Sequence, residues 1–173
     1  MDYHGLLYRA VDPRHWGEPL SGAGAAEVAQ RFNRKGKEAL YTAQRPETVL
    51  REKQQEGVLQ PLLIVAIRAR IENLFDARPP EAIARFGLQE KDIARDDWRD
   101  EAERSGLSQS QRLAEAVQAE GHVGMVVPSY AKGATEEDVN IVLWHWGESG
   151  RAVLSLVDDD KCLAGLARQG RGP

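Results

Sequence analysis

Five polar residues stand in apolar or glycine-rich surroundings. They are Arg9 in LLYRAV, Arg31 and Tyr41 in RFNRKGKEALYTA, Glu52 in ETVLREKQ, and Ser129 in GHVGMVVPSYA. Apolar sequence is spent on cores, and a charge or hydroxyl embedded in it calls for a partner or a ligand. Polar groups scattered along a chain that converge in space are what an enzyme pocket looks like in its sequence. The set is one carboxylate, two guanidinium groups and two hydroxyls, which suits a polar ligand. Each member also has a plainer reading. Glu52 shares its segment with Arg51, Lys53 and Glu56, so a surface salt bridge fits its composition equally well. Ser129 follows Pro128 at the end of an apolar run, where capping the next turn is the commoner use of a serine. Ser21–Ala26 (SGAGAA) either lets backbone approach a ligand or is a plain flexible loop.

These residues need elements to position them. Strands are expected at 6–11, 61–69, 122–127, 140–146 and 152–158, with a further short strand inside 36–42. The 140–146 and 152–158 strands are expected to pair as a hairpin across Gly147–Gly150. Helices are expected at 46–57, 79–86 and 108–120. The last has a serine cap, an apolar stripe of Leu113, Ala114 and Val117, and Gly121 as its stop. Pro46 suits the first turn of the helix that carries Glu52. A turn over 43–46 would fold that helix back on the preceding strand and let Tyr41 meet Glu52. Residues 88–106 are dense in both charge signs and read as a solvated helix or loop around one anchor, Trp98.

Strands and helices mix without a βαβ rhythm. The expected fold class is therefore α+β: a single domain over 1–168 with mixed or antiparallel sheets and flanking helices, and a frayed tail over 169–173. No GxGxxG, P-loop or GxSxG signature is present. The net charge of −4 disfavours bulk nucleic-acid binding but leaves room for a local basic pocket. The one cysteine, Cys162, cannot form an intramolecular disulfide, and no Cys/His spacing fits a zinc site. His4, His15, His122 and His145 read as ordinary surface or boundary residues. No signal peptide is evident, and the longest apolar run, LLIVAI, is far short of the ~20 residues that span a bilayer. A cytoplasmic location is the expectation.

In order and spacing the chain resembles the RES-domain family, which includes toxins of bacterial toxin–antitoxin pairs. The resemblance rests on LYRAV with Arg9, the small-residue loop leading to RFN and Gly36, ALYTA with Tyr41, the helix with Glu52, VGMVVPS with Ser129, and VNIVLW with Asn140. Where family members often carry Gly-Gly-Arg-Trp-Asn, this chain has Ala29-Gln30-Arg31-Phe32-Asn33. The resemblance implies an ADP-ribosyltransferase-like fold and cleavage of the nicotinamide–ribose bond of NAD, by water (a glycohydrolase) or by phosphate (a phosphorylase). Transfer of ADP-ribose to protein, or a non-enzymatic module with a vestigial pocket, are the alternatives. It implies Glu52, Tyr41 and Arg9 as catalytic residues. Arg31, Ser129, Asn33 and Asn140 are then the substrate-binding residues. NAD is the substrate, with no cofactor and no metal. Inorganic phosphate is one candidate acceptor, a cognate Xre-like protein is the expected antitoxin, and a homodimer is compatible. No nucleic-acid or membrane partner is implied.

Overall fold

The computed structural model describes residues 1–55, 57 and 60–163. Residues 164–168 of the expected domain, and the whole expected tail, lie outside the described residues. Seven described strands form one sheet in the order β4-β5-β6-β2-β1-β3-β7. They are β1 (Tyr3–Val11), β2 (Leu40–Ala43), β3 (Leu63–Ile71), β4 (Leu74–Asp76), β5 (Gly124–Pro128), β6 (Val139–Leu143) and β7 (Ala152–Leu156). All pairings are antiparallel except β4 with β5, so the sheet is mixed, as the α+β expectation requires.

Strand β3 shows why the sheet forms here. Val65, Ile67, Ala69 and Ile71 turn inward and Arg68 and Arg70 outward, the period-two pattern of a half-buried strand. It pairs with all of β1, from Tyr3 opposite Ile71 to Val11 opposite Leu63. The sheet curls round one apolar core: Leu74 from one edge strand and Ala152 and Leu154 from the other join a single cluster with Leu7, Ile67, Ile141 and Leu143. The outer face of β2, β5 and β6 carries a second core, in which Met125, Val127 and Val142 meet Phe32, Ile83, Ile93, Leu113 and Val117. Three helices cover it: α3 (Pro80–Ala84), α4 (Glu90–Ile93) and α6 (Gln109–Ala119).

Helix α6 matches its sequence signals. Ser108 accepts from the Gln111 amide, and the Gln111 side chain returns the bond to the Ser108 N–H, a capping box. The helix 46–57 is α2 (Pro46–Gln54). The expected hairpin is absent: β6 pairs with β2 and β5, while β7 pairs with β3. The GESG turn does join the two strands in sequence, but both of β6's edges are already used. Gly147 instead bonds to Ala152 and Leu154, covering part of β7's open edge. The Ser21–Ala26 stretch is not a loop throughout, because α1 (Ala23–Glu27) occupies most of it. Residues 88–106 hold α4 and α5 (Trp98–Ser105), and Leu88 and Ile93 are buried along with Trp98. The reading of one anchor is corrected: apolar residues spaced among charges still face a core. Strand β4 was not anticipated. Among the described residues no helix is long and apolar enough to cross a membrane.

Close packing at Gly124 yields a test of the β4–β5–β6 seam. A Cβ there would lie 2.5 Å from the Val142 carbonyl oxygen and 2.6 Å from a Leu143 methyl. We expect Gly124→Ala to cost about 1–3 kcal/mol in urea unfolding, the usual penalty for overpacking. An unchanged unfolding midpoint would contradict this packing.

Candidate functional site

Helix α2 is docked so that one of its faces meets the sheet. Thr48 and Val49 are buried, and Glu52 falls one turn after Thr48 on the same face. Glu52 Oε1 accepts from Ser129 Oγ at 2.6 Å and from Asn140 Nδ2 at 2.6 Å. Its Oε2 accepts from the exposed Gln55 amide at 2.8 Å. The surface salt-bridge reading of Glu52 is therefore replaced by a fixed, half-buried carboxylate with one oxygen fully engaged. Ser129 also caps the next turn, as its position after Pro128 suggests, since its Oγ accepts from the Ala131 amide at 3.2 Å.

One buried carboxylate holds α2 in this position. Asp138 Oδ1 accepts from Thr48 Oγ1 at 2.7 Å, and Oδ2 accepts from the Thr135 amide at 2.9 Å and from Thr135 Oγ1 at 3.2 Å. Arg51 Nε lies 3.4 Å from Oδ2 as an ion pair. The Asp138 carbonyl in turn accepts from the Ser129 amide at 2.7 Å. Burial pushes the Asp138 pKa up, but the Thr135 and Thr48 donors and the Arg51 charge outweigh it and hold it below the ordinary value.

Arg31 sits at the tip of a tight turn in which Gln30 and Asn33 exchange both backbone hydrogen bonds. The turn is anchored on every side. The Phe32 N–H donates to Tyr41 Oη at 3.0 Å, and Trp144 Nε1 donates to the Phe32 carbonyl at 3.1 Å. The Gln111 amide donates to the Gln30 and Asn33 carbonyls. Tyr41 Oη donates to Asn33 Oδ1 at 2.8 Å, and Asn33 Nδ2 donates to the carbonyls of Ala25, Arg34 and Lys37. Tyr41 and Glu52 thus share no hydrogen bond; Tyr41 and Asn33 bond to each other and brace the turn. Burial raises the Tyr41 pKa well above the usual phenol range, so it remains a neutral donor. Ala29 and Gln30 both keep negative φ, so the side chains that replace the family's glycines are unstrained.

From this turn the Arg31 guanidinium reaches across to the α4–α5 link. Its Nη1 donates to the Ile93 carbonyl at 2.6 Å and the Arg95 carbonyl at 2.8 Å. The guanidinium lies over the Tyr130 ring at 5.1 Å and beside Trp98 at 6.0 Å. Burial lowers the Arg31 pKa, while Tyr130 and the Glu52 charge oppose the shift. Tyr130, next to Ser129, thereby brings Arg31 to the Glu52 cluster. Arg9 is placed differently. Its Nη1 donates to the Pro19 and Ser21 carbonyls at 2.9 and 2.8 Å, and burial pushes its pKa down to about 10. By alternation Arg9 shares the β1 face of Leu7 and Val11. Tyr8, opposite Ala43, lies on the other face, which continues to Asn140.

Glu52, Ser129, Asn140 and Arg31 are therefore brought together, with Tyr41 and Asn33 behind them and Arg9 apart. Asp138, Thr48, Tyr130 and Trp98 were missed as site residues. Tyr130 adjoins Ser129 in sequence, a usable signal; Asp138 is hidden in the acidic run TEED. Two clefts open elsewhere, one of about 200 Å³ behind the Arg31 turn and one of about 320 Å³ along His4–Leu6 and Arg68–Arg70, and Glu52 lines neither. The site is thus defined by its side chains. A fixed carboxylate can stabilise a cationic centre or accept a proton from a hydroxyl, and the neighbouring guanidinium can hold an anion.

A curled mixed sheet with flanking helices, carrying this cluster on its outer face, places the molecule among α+β domains. A family model described as "RES domain" matches residues 6–161, and the chain belongs to the RES-domain family. No curated protein matches the chain. Among solved structures the chain is similar to one in the crystal structure of the M. tuberculosis MbcT–MbcA toxin–antitoxin complex. The TM-score is 0.63 at 21% identity, covering 90% of this chain and 83% of that one. At that identity the likeness is one of fold.

The Asp138 network has a pH signature. We expect Asp138→Asn to cost roughly 1–3 kcal/mol at neutral pH, as buried donors lose their charged acceptor. A carboxylate with a depressed folded pKa contributes stability above its unfolded value of about 3.9, and loses it as pH falls. The gap between the unmodified chain and the variant should therefore close below about pH 4 in unfolding titrations. A gap independent of pH would remove the ionised Asp138 from this role.

Proposed function

We propose that this RES-domain protein degrades NAD by cleaving the nicotinamide–ribose bond, and that it is the toxin of a toxin–antitoxin pair. The observation that carries the activity is the Glu52 carboxylate, fixed by Ser129 and Asn140, with Tyr130, the neighbour of Ser129, lying under the Arg31 guanidinium. When the bond breaks, its electron pair goes to the pyridinium nitrogen and nicotinamide leaves neutral. Positive charge builds on the ribose, as in glycoside cleavage. Glu52 stabilises that charge through the Oε2 edge, once the exposed Gln55 amide gives way. An oxygen of water or inorganic phosphate then bonds to the ribose carbon, and its proton passes to Glu52 or solvent. Ser129 and Asn140 keep the carboxylate in place, and Arg31 grips the diphosphate with the guanidinium edge that Nη1 leaves open. Tyr41 and Asn33 act on the substrate through the Arg31 turn. Arg9 fixes the loop that leads into α1.

The toxin role and the antitoxin partner are supported by membership of the RES family and by the fold shared with a chain of the MbcT–MbcA toxin–antitoxin complex. The antitoxin would cover the Glu52 face and keep NAD out.

Purified protein incubated with NAD tests the activity. Glu52→Gln should fold normally and cut NAD loss by at least about a hundredfold, the scale of losing a charge-stabilising group. Undiminished turnover by the folded variant sinks the assignment. Arg31→Ala should chiefly raise the NAD concentration needed for half-maximal loss, and an unchanged value would argue against its hold on the diphosphate. With labelled NAD, free ADP-ribose identifies water as acceptor and its phosphate ester identifies phosphate. Label fixed on protein would make the chain a protein ADP-ribosyltransferase instead.

A further inference from the structure

Two guanidinium groups share one indole. Trp98 is buried at the start of α5, with Arg99 4.3 Å from its ring centroid and Arg31 6.0 Å. Arginines nearby have acidic partners. Arg95 pairs with Asp97 at 2.6 Å, and Arg104 reaches the same carboxylate at 4.0 Å. Arg31 and Arg99 do not. Among the described residues neither has a carboxylate within ion-pair distance, and Arg99 makes no hydrogen bond. The Arg99 charge also acts unfavourably on Arg31. Glu52 and Asp96 act on Arg31 only from beyond ion-pair distance, so neither guanidinium is paired and a bound anion can take up both.

We propose that Arg99 is the second phosphate-binding cation of this site, and that Arg31 and Arg99, carried on Trp98, together bind the diphosphate of a dinucleotide. This rests on the NAD reading and adds a residue to it. The two cations match the two negative charges of a diphosphate. Arg31 is the fixed member, with Nη1 tied to the Ile93 and Arg95 carbonyls. Arg99 is the exposed member, resting on the ring face with no hydrogen bond to break before its fork meets phosphate oxygens. Arg9 is a weaker candidate for the same task, because it lies on the opposite face of β1 and is bound to the 19–21 backbone.

Calorimetric titration of ADP-ribose into the Glu52→Gln chain tests the assignment without turnover. Adding Arg99→Ala should weaken binding roughly tenfold or more, and most at low salt, as loss of a charge-assisted contact requires. Arg99→Met keeps an aliphatic stem over Trp98 and should lose as much, while Arg99→Lys should recover part of the loss. ADP-ribose binding that is equal in the Glu52→Gln chain with and without Arg99→Ala overturns the Arg99 assignment and leaves the NAD reading standing. Full affinity in the Arg99→Met form would overturn it too, since packing on Trp98 would then account for the effect of alanine. If the unmodified chain neither consumes NAD nor binds ADP-ribose, both proposals fall.

Discussion

The site depends on how α2 is seated, and that is decided by one buried carboxylate. Asp138 is 3% exposed and could not stay charged there without donors. Thr48 supplies one, the Thr135 amide and hydroxyl supply two more, and Arg51 adds its charge. Only one rotation of α2 presents Thr48 to Asp138, and that rotation also presents Glu52 to Asn140. The two contacts fit because two periods agree. Positions 138 and 140 lie on one side of the chain entering β6, about 6.6 Å apart at strand spacing. Thr48 and Glu52 are four residues apart on a helix, a rise of about 6 Å. Turning α2 by one residue, about 100°, would break both bonds at once and strand the Asp138 charge.

A second constraint governs Arg31. A guanidinium on a two-residue tip is useful only if the tip is rigid. Here rigidity comes from side chains that the resemblance had pointed towards the ligand. Asn33 spends its whole amide on three carbonyls and the Tyr41 hydroxyl, and Tyr41 closes the loop onto the Phe32 amide. Trp144 and Gln111 complete the brace from β6's end and from α6. With that much side-chain support the turn needs no positive φ, which is why Ala29 and Gln30 are tolerated before Arg31.

What the sequence made legible follows from this. Local signals sufficed where a local cause operates: the Ser108–Gln111 capping box, the alternation of β3, and Pro46 at the start of α2. They misled where the cause is non-local. A glycine-rich turn between two apolar runs reads as a hairpin, yet β6 is taken by β2 and β5, which come from far upstream. Charge density concealed the buried Leu88 and Ile93 because a helix with one apolar side can be charged on all others. The same blindness applies to the site. Composition left Glu52 and Ser129 undecided, and the ordered resemblance singled them out. Asp138 was out of reach of both, since an acidic residue in TEED looks solvated until its donors, Thr48 and Thr135, are seen to converge on it.

The separation of opposite charges gives the cluster its direction. Glu52 and Arg31 feel each other electrostatically, yet no ion pair joins them. Each is held by its own neutral or backbone partners: the carboxylate by Ser129 and Asn140, the guanidinium by the Ile93 and Arg95 carbonyls. Had they collapsed into a salt bridge, each would have quenched the other's field, and a ligand would have had to break that bridge before binding. Kept apart by their scaffolds, they form a preorganised dipole in which only the exposed Gln55 amide has to move to open the carboxylate. Under the proposed chemistry that polarity fits one substrate orientation. A dinucleotide has its negative charge on the diphosphate and develops positive charge at the ribose carbon that loses nicotinamide. The end of the site that binds the first is therefore not the end that stabilises the second, and binding at Arg31 directs the sugar towards Glu52.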